Sequence, residues 1–353
     1  MQTLFETLSS FRHLHMSFRA ARKGKRAQSS VAAFERNLEE ELLRLEDELR
    51  AKTYRPGPYR SFYRTEAKRR LISAAPFRDR VVHHALIAII EPLFERRFIF
   101  DSYANRKGKG THRALDRCTH FLRAGGYSLQ CDIRQFFPSI DHAILMRELN
   151  RVISDQEVIS LCERILETGQ GVLDEMYEMR WFPGDNLLSA ARPRGLPLGN
   201  LTSQFWANVY LNPLDHFIKR SLKCTRYLRY VDDFVLFSED KAQLHQWKSE
   251  IILFLDNLRL TLHETAAPVR PVPEGLPFLG FILYPNYRRL KPRTGHAFRR
   301  RFGTLIRQYQ CGQVDLPRLT ASAQGWAAHA NHGDTYGLRR LILGVNPIRL
   351  MER

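Results

Sequence analysis

Two adjacent carboxylates, Asp232 and Asp233, sit between two strongly apolar segments at 227–231 and 234–237. The pattern fits two short strands with the acid pair at their junction. A plain hairpin tip more often carries Asn-Gly or Asp-Gly. Like charges side by side are costly unless water or a cation neutralises them. Alone, the pair is compatible with either a turn or a cation site. A third carboxylate, Asp132, closes the apolar run of Gln130-Cys131-Asp132-Ile133 and precedes Phe136 and Phe137. A single Asp at a strand end is ordinarily a turn or cap residue. Three carboxylates at strand ends suit two Mg²⁺ ions about 3.5–4 Å apart, a clamp for the attacking and leaving oxygens of phosphoryl transfer. Mn²⁺ suits the same oxygen donors.

The elements that must position these groups read as mixed. Phe34, Leu38, Leu42, Leu45 and Leu49 recur at helical spacing with Glu between them, predicting one amphipathic helix. It reads as packing on the body of the protein, with a partner surface as the alternative. Residues 53–58 form a turn-rich break. Residues 81–90 read as a buried helix closed by Pro92, 129–137 as a strand that turns out of a sheet, and 141–167 as helix. Residues 170–194 look like an insertion, 203–217 and 244–258 like helices, and 278–284 like a strand. Helices and strands without regular alternation favour an α+β fold.

The chain has 353 residues, 55 Lys and Arg against 37 Asp and Glu, and a formal charge of +18. So large an excess favours a polyanionic partner, because Lys and Arg release counterions from phosphates. The basic residues cluster at 12–26, at 52–80 and at 288–307, which suggests a long nucleic-acid track rather than one anion pocket. The five scattered cysteines form no CxxC pair, so neither a zinc site nor a disulfide framework is indicated, and a reduced cytoplasmic setting fits. No apolar run is long enough to span a membrane, and no signal-peptide pattern opens the chain.

At this point the chain resembles the reverse transcriptase family. Tyr230-Val231-Asp232-Asp233 is similar to its YxDD motif, and the stretch from Asp132 to Ile140 to its first catalytic motif. Four further matches follow the family's order: 68–73 with 79–86, 102–112, 195–204 and 278–281. The resemblance covers about residues 52–340. It implies a right-hand polymerase with fingers, a palm built on an antiparallel sheet, and a helical thumb. The boundaries would be 1–51 for a basic segment and amphipathic helix, 52–290 for fingers and palm, and 291–353 for a basic thumb.

The resemblance also implies roles. Asp132, the backbone of Ile133, Asp232 and Asp233 would hold the metal ions. Lys68 and Arg70 would bind the triphosphate, with an exposed surface pair as the alternative. Phe137, five residues after Asp132, would be a steric gate against a ribose 2′-OH. Leu198, Gly199 and Gln204 would line the nucleotide pocket. Arg106, Lys109, Arg293, Arg299 and Arg300 would contact nucleic acid. The 108–112 stretch is no phosphate-binding P-loop, since Tyr103 stands where its first Gly is required.

Departures narrow the reading. Leu198 replaces the Gln of many family members, as in diversity-generating retroelement and related bacterial reverse transcriptases, where an aliphatic residue accompanies errors at template adenines. The Lys that often follows the strand after 258 is missing, and His263 is the nearby titratable group. The expected activity is RNA-directed DNA synthesis on a dedicated RNA template, giving cDNA from deoxynucleotides, in a retroelement or in antiphage defence. An accessory protein or a second copy would be the protein partner. No stretch is left over for an RNase H or endonuclease domain. The alternative from another class is a non-catalytic RNA-binding protein with a polymerase-like fold.

Overall fold

A computed structural model describes residues 2–65 and 69–344. Four helices open the chain: α1 (Leu4–Ser9), α2 (Phe11–Ala21), α3 (Ser29–Arg36) and α4 (Leu38–Arg50). The single helix expected through Phe34 and Leu49 is broken at Asn37, whose φ of −112° and ψ of 37° leave the helical region. Leu42, Leu45 and Leu49 are buried, so this face packs on the body as the spacing predicts.

The hairpin β1 (Arg60–Thr65) and β2 (Arg69–Ala74) leads into α5 (Phe77–Glu95). The expected stop at Pro92 does not occur; the proline lies inside α5. It forfeits one ladder bond, but Phe94 continues the buried face and meets Phe205 edge-on at 5.6 Å. After α6 (Thr111–Leu122) come β3 (Tyr127–Arg134), the short α7 (Phe136–Ser139), α8 (His142–Asn150) and α9 (Gln156–Thr168). The helix expected across 141–167 is interrupted because Asp155 caps a new start. Its Oδ1 accepts from the Glu157 and Val158 amides at 3.1 and 3.4 Å, and its Oδ2 from Phe5 N at 2.9 Å.

Residues 170–194 carry only short 3₁₀ turns. Then follow α10 (Leu201–His216), β4 (Tyr227–Tyr230), β5 (Asp233–Ser238), α11 (Lys241–Asn257), β6 (Thr261–Leu262) and β7 (Val269–Pro271). The chain continues through β8 (Leu276–Phe278), β9 (Phe281–Leu283), β10 (Arg288–Leu290), α12 (Pro292–Gln310), α13 (Leu316–Ala330) and α14 (Tyr336–Gly344).

The central sheet is antiparallel, ordered β4-β5-β3-β6, with β7 also pairing on β3. It divides two cores. Leu129, Cys131, Tyr227, Phe234 and Leu236 face helices α5, α10 and α11 in one. Leu228, Val235 and Phe237 face α6, the β8–β10 sheet and α12 to α14 in the other. Burial on both faces explains why the strands read as continuous apolar runs rather than alternating ones. In the second core Phe298 of α12 stacks on Trp326 of α13 at 4.3 Å. No helix among the described residues is long and apolar enough to cross a membrane, and all five cysteines are free thiols.

Candidate active site

The register brings the three predicted carboxylates to one end of the central sheet. Asp132 of β3 lies directly across from Asp233 of β5, and Tyr230 of β4 pairs with Asp233 on its other side. Asp232 occupies the two-residue link between β4 and β5. The link is tight because Val231 takes a left-handed φ of 59°. A β-branched residue there costs on the order of 1–3 kcal/mol, held only where the surroundings dictate it.

Electrostatics at this end of the sheet are strained by design of the fold. Asp232 is pushed up to about 6, first by burial and then by the nearby Asp132 carboxylate, against the pull of Arg70 of β2 and of Arg229. Asp233 is pushed up to about 7, first by burial, against the pull of its hydrogen bond from Gln130, with both other aspartates adding to the rise. Gln130 Nε2 reaches the two oxygens of Asp233 at 3.0 and 3.3 Å. Lys291, at the start of α12, also faces Asp233; burial lowers its own proton affinity. Three mutually repelling carboxylates on a partly buried strand edge are an oxygen donor set suited to divalent cations. Among the described residues, no group of three or more His, Cys, Asp or Glu side chains stands in a metal-holding arrangement.

Neighbouring segments converge on the same edge. In α7, Phe137 is half-buried and packs edge-on against Phe136 at 5.4 Å. Its carbonyl accepts from Leu196 N at 2.9 Å, and the Leu198 carbonyl accepts from Ser73 N of β2 at 2.8 Å. Asn200 bolts this loop to β2, donating to the Ser73 carbonyl at 2.8 Å and accepting from Ala75 N at 3.1 Å. Gly199 adopts a φ of 112°, and a Cβ there would sit 2.9 Å from Ile72 Cγ2, so a side chain is excluded on both counts. Gln204 is exposed on the first turn of α10. Lys68 lies outside the described residues; Arg70 stands exposed on β2.

The expected nucleic-acid contacts divide. Arg293, Arg299 and Arg300 are exposed along α12. Lys109 lies over the exposed Phe100 ring at 3.4 Å. Arg106 is instead an internal brace: its side chain is 6% exposed, forks onto Glu95, and donates to the Ile99 and Ser102 carbonyls at 2.7 and 2.9 Å. Four of its five N–H donors are so committed, which turns Arg106 toward the protein interior rather than toward the nucleic-acid contact that the sequence suggests. His263 is exposed and meets Thr265 Oγ1 at 3.3 Å, while its amide donates to the Asp132 carbonyl at 2.8 Å. Gln130 and Lys291 escaped the sequence reading. Gln130 shares Asp132's motif and, two residues before it, the same strand face, which was the available signal.

The chain that carries this edge is similar to known proteins. Residues 61–283 match the family described as reverse transcriptase (RNA-dependent DNA polymerase). The chain is similar to YkfC of Escherichia coli K12, 26% identical over 280 residues that cover 68% of this chain and 70% of that protein. It is also similar to the group II intron-encoded protein LtrA of Lactococcus lactis, 24% identical over 309 residues, with 69% of this chain and 49% of LtrA covered. It thus spans about half of LtrA's length. Among solved structures, apo telomerase of Candida tropicalis superposes with a TM-score of 0.50 at 10% identity, covering 69% of this chain and 49% of that one, a likeness of fold. That fold is the right-hand polymerase arrangement of mixed helices and antiparallel sheet. With a family match across most of its length, the chain belongs to the reverse transcriptase (RNA-dependent DNA polymerase) family, a family of RNA-directed DNA polymerases.

Proposed function

We propose that this chain copies RNA into DNA by two-metal nucleotidyl transfer at the edge formed by β3, β4 and β5. The observation that carries the reading is the register of Asp132 opposite Asp233, with Asp232 one residue beyond and Arg70 facing it. Asp132, the Ile133 carbonyl, Asp232 and Asp233 would hold two Mg²⁺ ions, with Mn²⁺ able to replace them. Bound there, the ions would neutralise charge on the phosphates and on the attacking hydroxyl. The reaction is attack of a primer 3′-OH on the α-phosphate of a deoxynucleotide, with pyrophosphate leaving. The protein's part is positioning and charge.

Arg70, and Lys68 beyond the described residues, would take the triphosphate. Phe137 would exclude a ribose 2′-OH; its ring packs on Phe136, and its backbone is tied to Leu196. Leu198, Gly199 and Gln204 would border the base, and Leu198 would offer it no polar contact. The division into an N-terminal unit at 1–51, fingers and palm at 52–290 and thumb at 291–353 belongs to this reading. Lys109 and the exposed arginines of α12 would track the backbone of an RNA–DNA duplex.

The template would be a dedicated RNA, copied in a retroelement or in antiphage defence, with an accessory protein or a second copy as partner. Sequencing the RNA and cDNA that co-purify with the protein separates these settings. A template matching a variable target gene means diversification; a short structured RNA means defence. The sugar gate is tested by Phe137→Val on poly(rA)·oligo(dT). Discrimination between dTTP and UTP should fall by about 10–100-fold, the range for a steric contact in a pocket. Unchanged discrimination would remove Phe137 from that role.

A further inference from the structure

Arg229 precedes Tyr230 on β4, and nothing in the chemistry above uses it. Its side chain is fully buried, 0% exposed. Nε and Nη2 fork onto Asp215 of α10 at 2.8 and 2.7 Å, and the Tyr227 hydroxyl donates to the same carboxylate at 2.7 Å. Nη2 also reaches Ser102 Oγ at 3.3 Å. The remaining nitrogen, Nη1, donates to Asn208 Oδ1 at 3.1 Å and to the Val231 carbonyl at 2.9 Å. Asn208 is itself fixed by donating to the Ala104 carbonyl at 2.9 Å. The backbone is pinned as well, with Arg229 N donating to the Asp101 carbonyl at 2.9 Å and Tyr103 N to the Arg229 carbonyl at 3.0 Å.

The guanidinium is thus anchored on α10 and on the 101–104 loop, and from there it reaches the peptide at Val231. That residue carries the left-handed φ of 59° that its branched side chain disfavours. The turn it makes aims the next side chain, Asp232. Rotation of Val231 out of the left-handed region would relieve the strain, carry its carbonyl off Nη1 and swing Asp232 away from Asp132. We propose that Arg229 is a positioning residue: a buried cationic clamp that holds Val231 in its left-handed turn and so fixes where the Asp232 carboxylate points. The kinetic consequence rests on the polymerase reading; the geometric one does not.

The test uses the full chain and compares Arg229→Lys, Val231→Gly and the double variant. Lysine keeps the charge but cannot fork onto Asp215 and reach Val231 together. Glycine takes positive φ without strain and needs no clamp. Amide hydrogen exchange without nucleic acid should be about tenfold faster across 231–233 in Arg229→Lys, with α10 still protected. Primer extension should show kcat lowered about tenfold or more with KM for dTTP nearly unchanged. Val231→Gly should restore much of that kcat. A folded Arg229→Lys with wild-type exchange and kcat overturns the proposal. A loss that Val231→Gly leaves unrescued also overturns it, because a merely structural ion pair would behave that way. If Arg229→Lys does not fold, Asn208→Ala, which removes one of the two acceptors of the same nitrogen and spares the Asp215 fork, is read against the same outcomes. Absence of DNA synthesis by wild type would sink the polymerase reading, while the exchange arm still decides the clamp.

Discussion

Two of the β-hairpins, β4–β5 with the carboxylates and β1–β2 with Arg70, are built in opposite ways. The β4–β5 hairpin is buried on both faces, shares β3 as a third strand, and is anchored by the Arg229–Asp215 fork. The β1–β2 hairpin is a two-stranded sheet of its own, with Phe62 and Tyr63 exposed and Arg69 stacked over Tyr63 at 3.8 Å. Its ties to the body are the Ser73–Leu198 bond and the Asn200 bridge. An isolated two-stranded hairpin is marginally stable in water. The contrast separates two tasks. Charge that must not move is set in a rigid sheet, where burial makes the carboxylates repel until a cation arrives. In the proposed reaction, charge that would approach and leave a triphosphate would be carried on a thin arm.

Several substitutions would break or sharpen that contrast. Asp215→Ala strands Arg229 as an unpaired buried charge, and urea unfolding should show a loss of about 3–5 kcal/mol. Arg70→Ala, on the arm, should leave stability alone and raise KM for dTTP about tenfold, the worth of one charge-assisted contact of about 1.5 kcal/mol. Proton linkage gives the third. Asp233 is pushed up to about 7 in the folded protein, whereas the unfolded chain ionises near the ordinary value of about 3.9. Between those values the native state holds more protons, so metal-free stability must fall as pH rises through about 4 to 7. Calorimetry in EDTA should show that fall, and Asp233→Asn should flatten it. The smallest effect is expected for Arg69→Ala, where an exposed cation–π contact contributes about 0.5–1 kcal/mol. A larger loss in thermal melting would mean that the arm is less independent than its packing indicates.

Much of this was legible in the sequence, for identifiable reasons. Asp132, Asp232 and Asp233 sit at the ends of apolar runs, which places them at strand ends, while their joint role was read from the three together and from the family resemblance. The α+β composition followed from the same patterns. The partners that tune them did not. Nothing local marks Asp215 and Asn208 as the acceptors for Arg229, because those contacts join residues 14 and 21 positions apart through a packed interior. Lys291 belonged to a basic cluster and was indistinguishable there from its neighbours. Arg106 was expected at nucleic acid from the family resemblance, and nothing local marks Glu95 at the end of α5 as the acceptor of its guanidinium. Element boundaries shifted wherever a side chain overrode the period, at Asn37, Pro92 and Asp155.

The central claim is that the three aspartates form one metal-dependent centre for DNA synthesis on RNA. Extension of oligo(dT) on poly(rA) with dTTP, by wild type and by Asp232→Ala, with Mg²⁺ and with EDTA, tests it most directly. Wild type should extend the primer only with the cation, and folded Asp232→Ala should lose about 10²–10³-fold or more of that rate, the scale for removing one charge-stabilising group. Extension by Asp232→Ala at the wild-type rate, or no cation-dependent extension by wild type, would contradict the account.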